Sequence, residues 1–197
     1  YVLLDAVDPD GSVITEKSSN NFPVTLNGNI SVLNNTIVRN NGGYLIINTS
    51  MSPLSLSTNY QIDFVYEGIN IPVCSFFTKD INDKYSLFVT VSNKIYAHST
   101  KGESWVYNKA INSQSGINTL SIVKINDIES IYLNGVRIYR TLISPTNPYT
   151  LQGNLIILGK YSGFTDPNQH NIKRLGIYSG PNVYPDVDNV IVPHHYL

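Results

Sequence analysis

The sequence predicts an all-β sandwich of two antiparallel sheets. Three observations carry that expectation. Short runs rich in Val, Ile, Tyr and Phe recur about every ten residues. Clusters of Asn, Asp, Gly, Ser and Pro separate them. No window of ten or more residues shows the 3.6-residue apolar spacing of an amphipathic helix.

The strand signals run in order along the chain. "YVLLDAV" (1–7), "SVLNNTIVR" (31–39), "GYLIINT" (43–49), "YQIDFVYEG" (60–68) and "VCSFFTK" (73–79) come first. "YSLFVTV" (85–91), "KIYAHST" (94–100), "SWVYNKA" (104–110), "NTLSIVKI" (118–125), "SIYLNG" (130–135) and "VRIYR" (136–140) follow. "NLIILGKY" (154–161) and "NIKRLGIYS" (171–179) close the set. Three short turns predict a meander through residues 85–140. Ser92-Asn93, Asn126-Asp127 and Asn134-Gly135 each suit a two-residue hairpin, and Asn-Gly is the strongest such signal because it tolerates positive φ at both positions. Leu87, Val89 and Val91 alternate with Ser86, Phe88 and Thr90, and Ile131 and Leu133 flank Tyr132. In both runs the aliphatic set is the expected core face, since each sheet must bury one face against the other.

A chain of 197 residues suits one large β domain and buries enough surface to need no staples. Its single cysteine, Cys74, sits in the apolar run "IPVCSFF" and reads as a buried thiol, so no internal disulfide framework exists. Charged residues make up 14%, against roughly 25% in an average soluble domain. The net charge is −1 and no Lys/Arg run is present, which argues against nucleic acid. Polarity comes instead from 24 Asn with many Ser and Thr. A neutral surface of amides and hydroxyls suits glycans, although AT-rich coding accounts for the same excess of Asn, Ile and Tyr. No apolar run approaches the ~20 residues of a membrane-spanning helix. The chain begins at Tyr1, not Met, which fits a processed chain or a piece of a longer one.

The segment "NTLSIVKINDIESIYLNGVRIYR" resembles the central hairpin of laminin-G-like jelly-roll domains, within the concanavalin A-like lectin/glucanase superfamily. There, a strand and a short Asn/Asp turn lead into a "LYVNG" strand, matched here by Ile131, Tyr132, Leu133, Asn134 and Gly135. Leu158-Gly159 match the strand that ends in "IG", and Ile172 through Tyr178 match the late strand "G-x-I-D-E-V-R-I-Y". Two positions depart from the pattern. Lys173-Arg174 stand where the family has an acidic pair, and Val65 or Tyr66 stands where it has Trp. The resemblance implies a two-sheet antiparallel jelly-roll sandwich, concanavalin A-like, over residues 1–180. Residues 181–197, with Pro181, Pro185 and Pro193, are expected to form an extended arm or a linker, the arm lying across its own sandwich or a partner subunit.

Candidate sites follow from residue chemistry. Glucanases of this fold carry three alternating carboxylates on one strand, because two carboxyl groups must flank the scissile bond. The nearest stretch, "NDIES", offers only Asp127 and Glu129 and reads as a polar turn, so no catalytic residue is assigned. Asp8 and Asp10 around Pro9 offer oxygen ligands on a tight turn for Ca²⁺, against a plain type I turn. Aromatics are the better lead. Tyr96, Trp105, Tyr107 and Tyr132, with Phe88, are expected opposite the aliphatic set, where flat rings stack on sugars or pack on a neighbouring subunit. The loop "YSGFTDPNQHN" (161–171) adds Tyr161, Phe164, Asp166, Asn168 and His170. These readings converge on a non-catalytic adhesion module, extracellular or on a virion surface, that binds a glycan or cell-surface receptor. The setting expected is a viral or phage appendage or a bacterial surface protein. A structural virion domain, assembled as a homo-oligomer or with other subunits, and a divergent glycoside hydrolase are the alternatives.

Overall fold

The computed structural model describes the backbone of residues 2–5, 21–33, 36–49, 54–56, 59–72, 74–77, 86–91, 94–98, 104–107, 111–142, 149–151, 155–161, 164–165, 169–181 and 183–191. Side chains are described for 21–33, 36–49, 59–72, 111–142, 159, 169–181 and 183–191. The strands are β1 (Val2–Asp5), β2 (Val24–Asn27), β3 (Ile30–Val32), β4 (Ile37–Arg39), β5 (Tyr44–Asn48), β6 (Leu54–Leu56) and β7 (Tyr60–Glu67). Next come β8 (Cys74–Phe77), β9 (Ser86–Val91), β10 (Lys94–His98), β11 (Ser104–Tyr107), β12 (Ile117–Ile125), β13 (Ile128–Leu133) and β14 (Val136–Leu142). Then follow β15 (Tyr149–Leu151), β16 (Leu155–Leu158), β17 (Lys160–Tyr161), β18 (Phe164–Thr165) and β19 (His170–Ser179).

Two antiparallel sheets form a sandwich. The first has the order β14-β13-β12-β7-β19-β4-β3, with β1 also paired to β19, and the second has the order β11-β10-β9-β8-β16-β5-β2. β7 pairs along one side of β19, while β4 takes residues 170–172 and β1 takes 174–177 on the other. The first strand of the chain therefore pairs with the last. The ladder slips between Ile172 and Arg174, so Lys173 is the extra residue of a bulge.

Strand β7 shows why these residues form this layer. Tyr60, Ile62, Phe64 and Tyr66 alternate, and all four lie in the core. Opposite them stand Lys124, Ile122, Leu120 and Asn118 of β12 and Ser179, Ile177, Leu175 and Ile172 of β19. The second sheet contributes Leu45 and Ile47 to the same cluster. Ile131 is fully buried and Leu133 packs against the cluster, as their alternation predicts.

The hairpin turns at Asn126 and Asn134 are where the sequence puts them. Asn126 has φ 51°, and Asn134 and Gly135 have φ 51° and 83°, the left-handed pair a type I′ turn requires. The Asn134 side chain then ties the turn to β12. Its Oδ1 accepts from Thr119 N at 2.8 Å and its Nδ2 donates to Asn118 Oδ1 at 3.1 Å. The Ser92-Asn93 turn lies outside the described residues, although Val91 and Lys94 on either side of it are ladder partners.

Two expectations are corrected. The run 31–39 is not one strand. Its two ends belong to β3 and β4, which pair with each other, and Leu33 and Thr36 exchange two backbone hydrogen bonds where the chain reverses. Asn-Asn inside that run was a turn signal that the flanking β-branched residues obscured. Strands β2, β6 and β15 were also missed, because three or four residues carry too little alternation to be read.

Replacing Gly135 by Val forces a β-branched residue into positive φ. Chemical denaturation of Gly135→Val is expected to show a loss of about 1 kcal/mol or more; an unchanged midpoint would refute the type I′ assignment.

Candidate functional site

The outer face of the first sheet, away from the core, holds the densest polar chemistry among the described residues. Two rows cross five strands of that sheet. One reads Gly176, Asp63, Ser121, Tyr132, Arg137, each residue directly opposite the next on the neighbouring strand. The adjacent row reads Tyr178, Gln61, Val123, Ser130, Arg140. Gly176 has a structural reason in this row. A Cβ there would meet the Tyr178 hydroxyl at 2.5 Å, so the missing side chain makes room for that ring.

Residues 183–190 run across both rows as an arm. Tyr184 N donates to Gln61 Oε1 at 2.8 Å, and Gln61 Nε2 donates to Asp63 Oδ2 at 2.8 Å, so one amide links arm and carboxylate. The Tyr184 ring meets Tyr132 edge-on, with centroids 6.1 Å apart. Tyr132 Oη donates to Val187 O at 2.8 Å, with Pro185 O at 3.3 Å. Farther along, Arg137 N donates to Asp188 O, and Val190 N donates to Gly135 O, both at 2.8 Å. The guanidinium of Arg137 pairs with Asp186 and Asp188, and Arg140 pairs with Asp186 at 3.0 Å. The Arg140 hydrogen bond holds the Asp186 carboxyl below the usual carboxylate range.

Beneath the arm the polar groups are incompletely satisfied. Asp63 is 1% exposed, and burial pushes its carboxyl up to about 6, against the lowering pull of Ser121, Gln61 and the Arg174 guanidinium. Burial also pushes the Tyr184 phenol up, although Ser121 lies close enough to oppose it. Proximity is not bonding here. Asp63 Oδ1, Ser121 Oγ, Tyr184 Oη and Arg174 Nε reach no hydrogen-bond partner among the described residues. Each such buried atom costs about 1–3 kcal/mol.

A second polar cluster faces the core. Tyr60 Oη donates to Glu129 Oε2 at 2.9 Å, and Lys124, opposite Glu129 in the ladder, lies 6.0 Å from the centroid of the Tyr60 ring. Burial pushes the Glu129 carboxyl up to about 7, against the pull of Tyr60 and Lys124. Burial likewise lowers the Lys124 ammonium, against the raising pull of Glu129 and Asp127. The reading of "NDIES" as a polar turn therefore holds for Asp127 but not for Glu129, which belongs to β13 and is buried.

The expected aromatic face is not one face. Tyr132 is 0% exposed, on the outer side of the first sheet beneath the arm. Tyr96, Trp105 and Tyr107 are on the second sheet, and their side chains lie outside the described residues. Its ladder runs Ile47, Ile156, Phe76, Phe88, Ala97, Trp105 through directly opposed positions. That register places Phe88 and Trp105, and with them Tyr107, on the face of buried Ile47, and Tyr96 on the other face. Alternation reveals two faces without saying which is inside, and both faces of these strands carry apolar residues.

The loop 161–171 lies partly outside the described residues. Tyr161 and Phe164 are ladder partners in β17 and β18, and their side chains lie outside the described residues, as do Asp166 and Asn168 entirely. His170 opens β19 opposite Arg39 and is buried. Asp8 and Asp10, the expected Ca²⁺ ligands, lie outside the described residues. Among the described residues no three His, Cys, Asp or Glu side chains are grouped to hold a metal. Among the described residues no helix is long and apolar enough to cross a membrane. Gln61, Asp63, Ser121, Arg137, Arg140 and Tyr184 were not singled out from sequence. The one available signal was Asp63, a carboxylate in the middle of the apolar run "YQIDFVYE".

Folded Glu129 has a pKa above its ordinary 4.5, so its contribution to stability is present below about 4.5 and lost as pH rises through about 7. Thermal melts from pH 5 to pH 8 are expected to show Glu129→Gln gaining several degrees relative to the parent as pH rises. A constant difference across that range would place the carboxyl in a more hydrated site.

No protein-family model matches the sequence, and no curated protein matches it. Solved structures do. The chain superposes on the receptor binding domain of botulinum neurotoxin D with a TM-score of 0.66 and 13% identity, covering 90% of this chain and 48% of that one. The binding domain of Paraclostridial Mosquitocidal Protein 1 gives a TM-score of 0.66 and 16% identity, covering 91% and 48%. The botulinum neurotoxin serotype D ligand binding domain in complex with N-acetylneuraminic acid gives 0.64 and 14%, covering 90% and 47%. The chain thus spans about half the length of the solved chains it matches, and at these identities the likeness establishes a shared all-β fold.

Proposed function

We propose that this chain is a non-catalytic binding module that acts outside the cell on a glycan of a cell-surface receptor. The observation that carries the reading is the fold shared over nine-tenths of the chain with binding domains of toxins. One of those solved chains was crystallised with N-acetylneuraminic acid. Another belongs to botulinum neurotoxin type C, whose cell entry depends on interaction with two ganglioside molecules. The amide-rich, weakly charged composition is suited to the same ligand class. The ordered motifs around Asn134-Gly135 and Leu158-Gly159 further support placing the module in the concanavalin A-like superfamily, near laminin-G-like domains.

Carboxylate placement favours binding over hydrolysis. Asp63 stands on the outer face of the first sheet, in the row with Ser121, whereas Glu129 faces the core beside Tyr60. Two carboxyl groups on opposite sides of a sheet cannot flank one glycosidic bond.

A second reading has its own observation. Ile69, Ile117, Val136 and Ile191 are exposed aliphatic residues near one end of the first sheet. Their segments are joined by bonds from Gly68 N to Gly116 O, Asn134 Nδ2 to Asn118 Oδ1 and Val190 N to Gly135 O. Such a row suits packing against neighbouring subunits in an assembly. A glycan array, read together with light scattering, separates the two. Array binding by a monomer is the expected result. A blank array with a trimer or larger particle would replace the binding reading with the assembly one.

A further inference from the structure

We propose that residues 183–190 are a displaceable strap over an acidic-saccharide site. Once released from Asp186 and Asp188, Arg137 and Arg140 take the sugar carboxylate, while Gln61, Asp63 and Ser121 take its hydroxyls. The proposal rests on the glycan-binding reading and assigns it a place on the molecule.

Three observations carry it. First, the arm's own acids occupy the position that a ligand carboxylate would take. Asp186 bridges both guanidiniums and Asp188 adds a second contact to Arg137. An arginine fork is suited to a planar carboxylate from either source. Second, this clamp is open to competition. The side chains of Asp188 and Arg140 are 81% and 42% exposed, so the two outer pairs hold weakly, while the central pair of Arg137 with Asp186, at 16% and 28%, is the better shielded one. Third, the seated arm leaves hydrogen bonds unmade on the face it covers. Asp63 Oδ1, Ser121 Oγ and Arg174 Nε have no partner among the described residues, and neither does the arm's own Tyr184 Oη. A carboxylate oxygen, a hydroxyl and a guanidinium N–H in neighbouring positions are the donors and acceptors that vicinal sugar hydroxyls satisfy. The Tyr132 ring lies in the same row, between Ser121 and Arg137, and becomes a stacking surface when Tyr184 leaves its edge.

While the arm is seated, Asp63, Ser121 and Tyr132 are covered, so ligand affinity is reduced by the fraction of molecules with the strap closed. The test uses the full chain as parent, as Asp186→Asn/Asp188→Asn, and as that double variant with Arg137→Gln added. Hydrogen exchange at the Arg137 and Val190 amides, both bonded across the arm, reports release independently of any ligand. Sialyllactose and tri-galacturonate are the probes, with lactose as the neutral control, titrated by calorimetry.

The double variant is expected to exchange these two amides faster, with Ile122 in β12 unchanged. It is also expected to bind at least one acidic probe about tenfold more tightly than the parent, a gain that Arg137→Gln removes. Unchanged exchange in the double variant overturns the proposal, because the ion pairs then do not hold the strap. Faster exchange without tighter acidic-probe binding also overturns it. If the parent and both variants bind a glycan equally, the strap site falls and the glycan-binding reading stands. If exchange shows the strap free and no form binds any probe or array glycan, both fall.

Discussion

The two-residue period of strand β7 is the constraint on which the rest of this structure depends. Its even-numbered residues, Tyr60 through Tyr66, enter the core between the sheets, so Gln61 and Asp63 must stand on the opposite face. Because β7 lies between β12 and β19, in the interior of its sheet, those polar residues sit in the middle of a broad surface. A carboxylate there is either hydrated or covered. The arm covers it, and Gln61 mediates the contact by donating to Asp63 and accepting from Tyr184. Tyr132 falls into line because strand pairing carries the same parity from β12 to β13, and the two arginines, three residues apart, share its face because the β13–β14 ladder shifts register between Ile131 and Tyr132.

Both faces of the first sheet therefore carry a buried carboxylate, with different surroundings. Glu129 has a phenol donor at 2.9 Å and a lysine opposite in the ladder. Asp63 has an amide donor and a guanidinium nearby, and, like Glu129, it keeps one oxygen unpaired among the described residues. In each case burial outweighs the favourable neighbours and raises the pKa. Buried charge of this kind is a poor source of stability, because desolvation offsets most of the attraction. Its presence on the outer face is easier to understand when the cover over it is weakly held and the groups beneath it serve a ligand.

The likeness to toxin binding domains at 13–16% identity shows how little of this fold depends on particular side chains. What a sandwich requires is alternation, turn residues at the hairpins, and aliphatic bulk on two facing surfaces. Function is set by what the remaining positions carry. In this chain those are the outer rows of the first sheet and the arm across them.

By itself the sequence determined the class of fold and the position of its tightest turns. Asn134-Gly135 and Asn126 are local instructions, since only residues that tolerate positive φ reverse the chain in that space, and they act as read. Core positions such as Ile131 and Leu133 were equally legible, because aliphatic residues alternate there with a tyrosine. Three things were decided only in the tertiary structure. Which side of a strand faces inward depends on the partner sheet, so Trp105 and Tyr107 share the face of Ile47 while Tyr96 does not. Whether an aromatic is exposed depends on what crosses over it, and an arm more than forty residues later in the chain buries Tyr132. The candidate site joins residues from β7, β12, β13, β14, β19 and the arm. Its members are far apart in sequence, and only the lateral register of five strands and the path of the last segment bring them together.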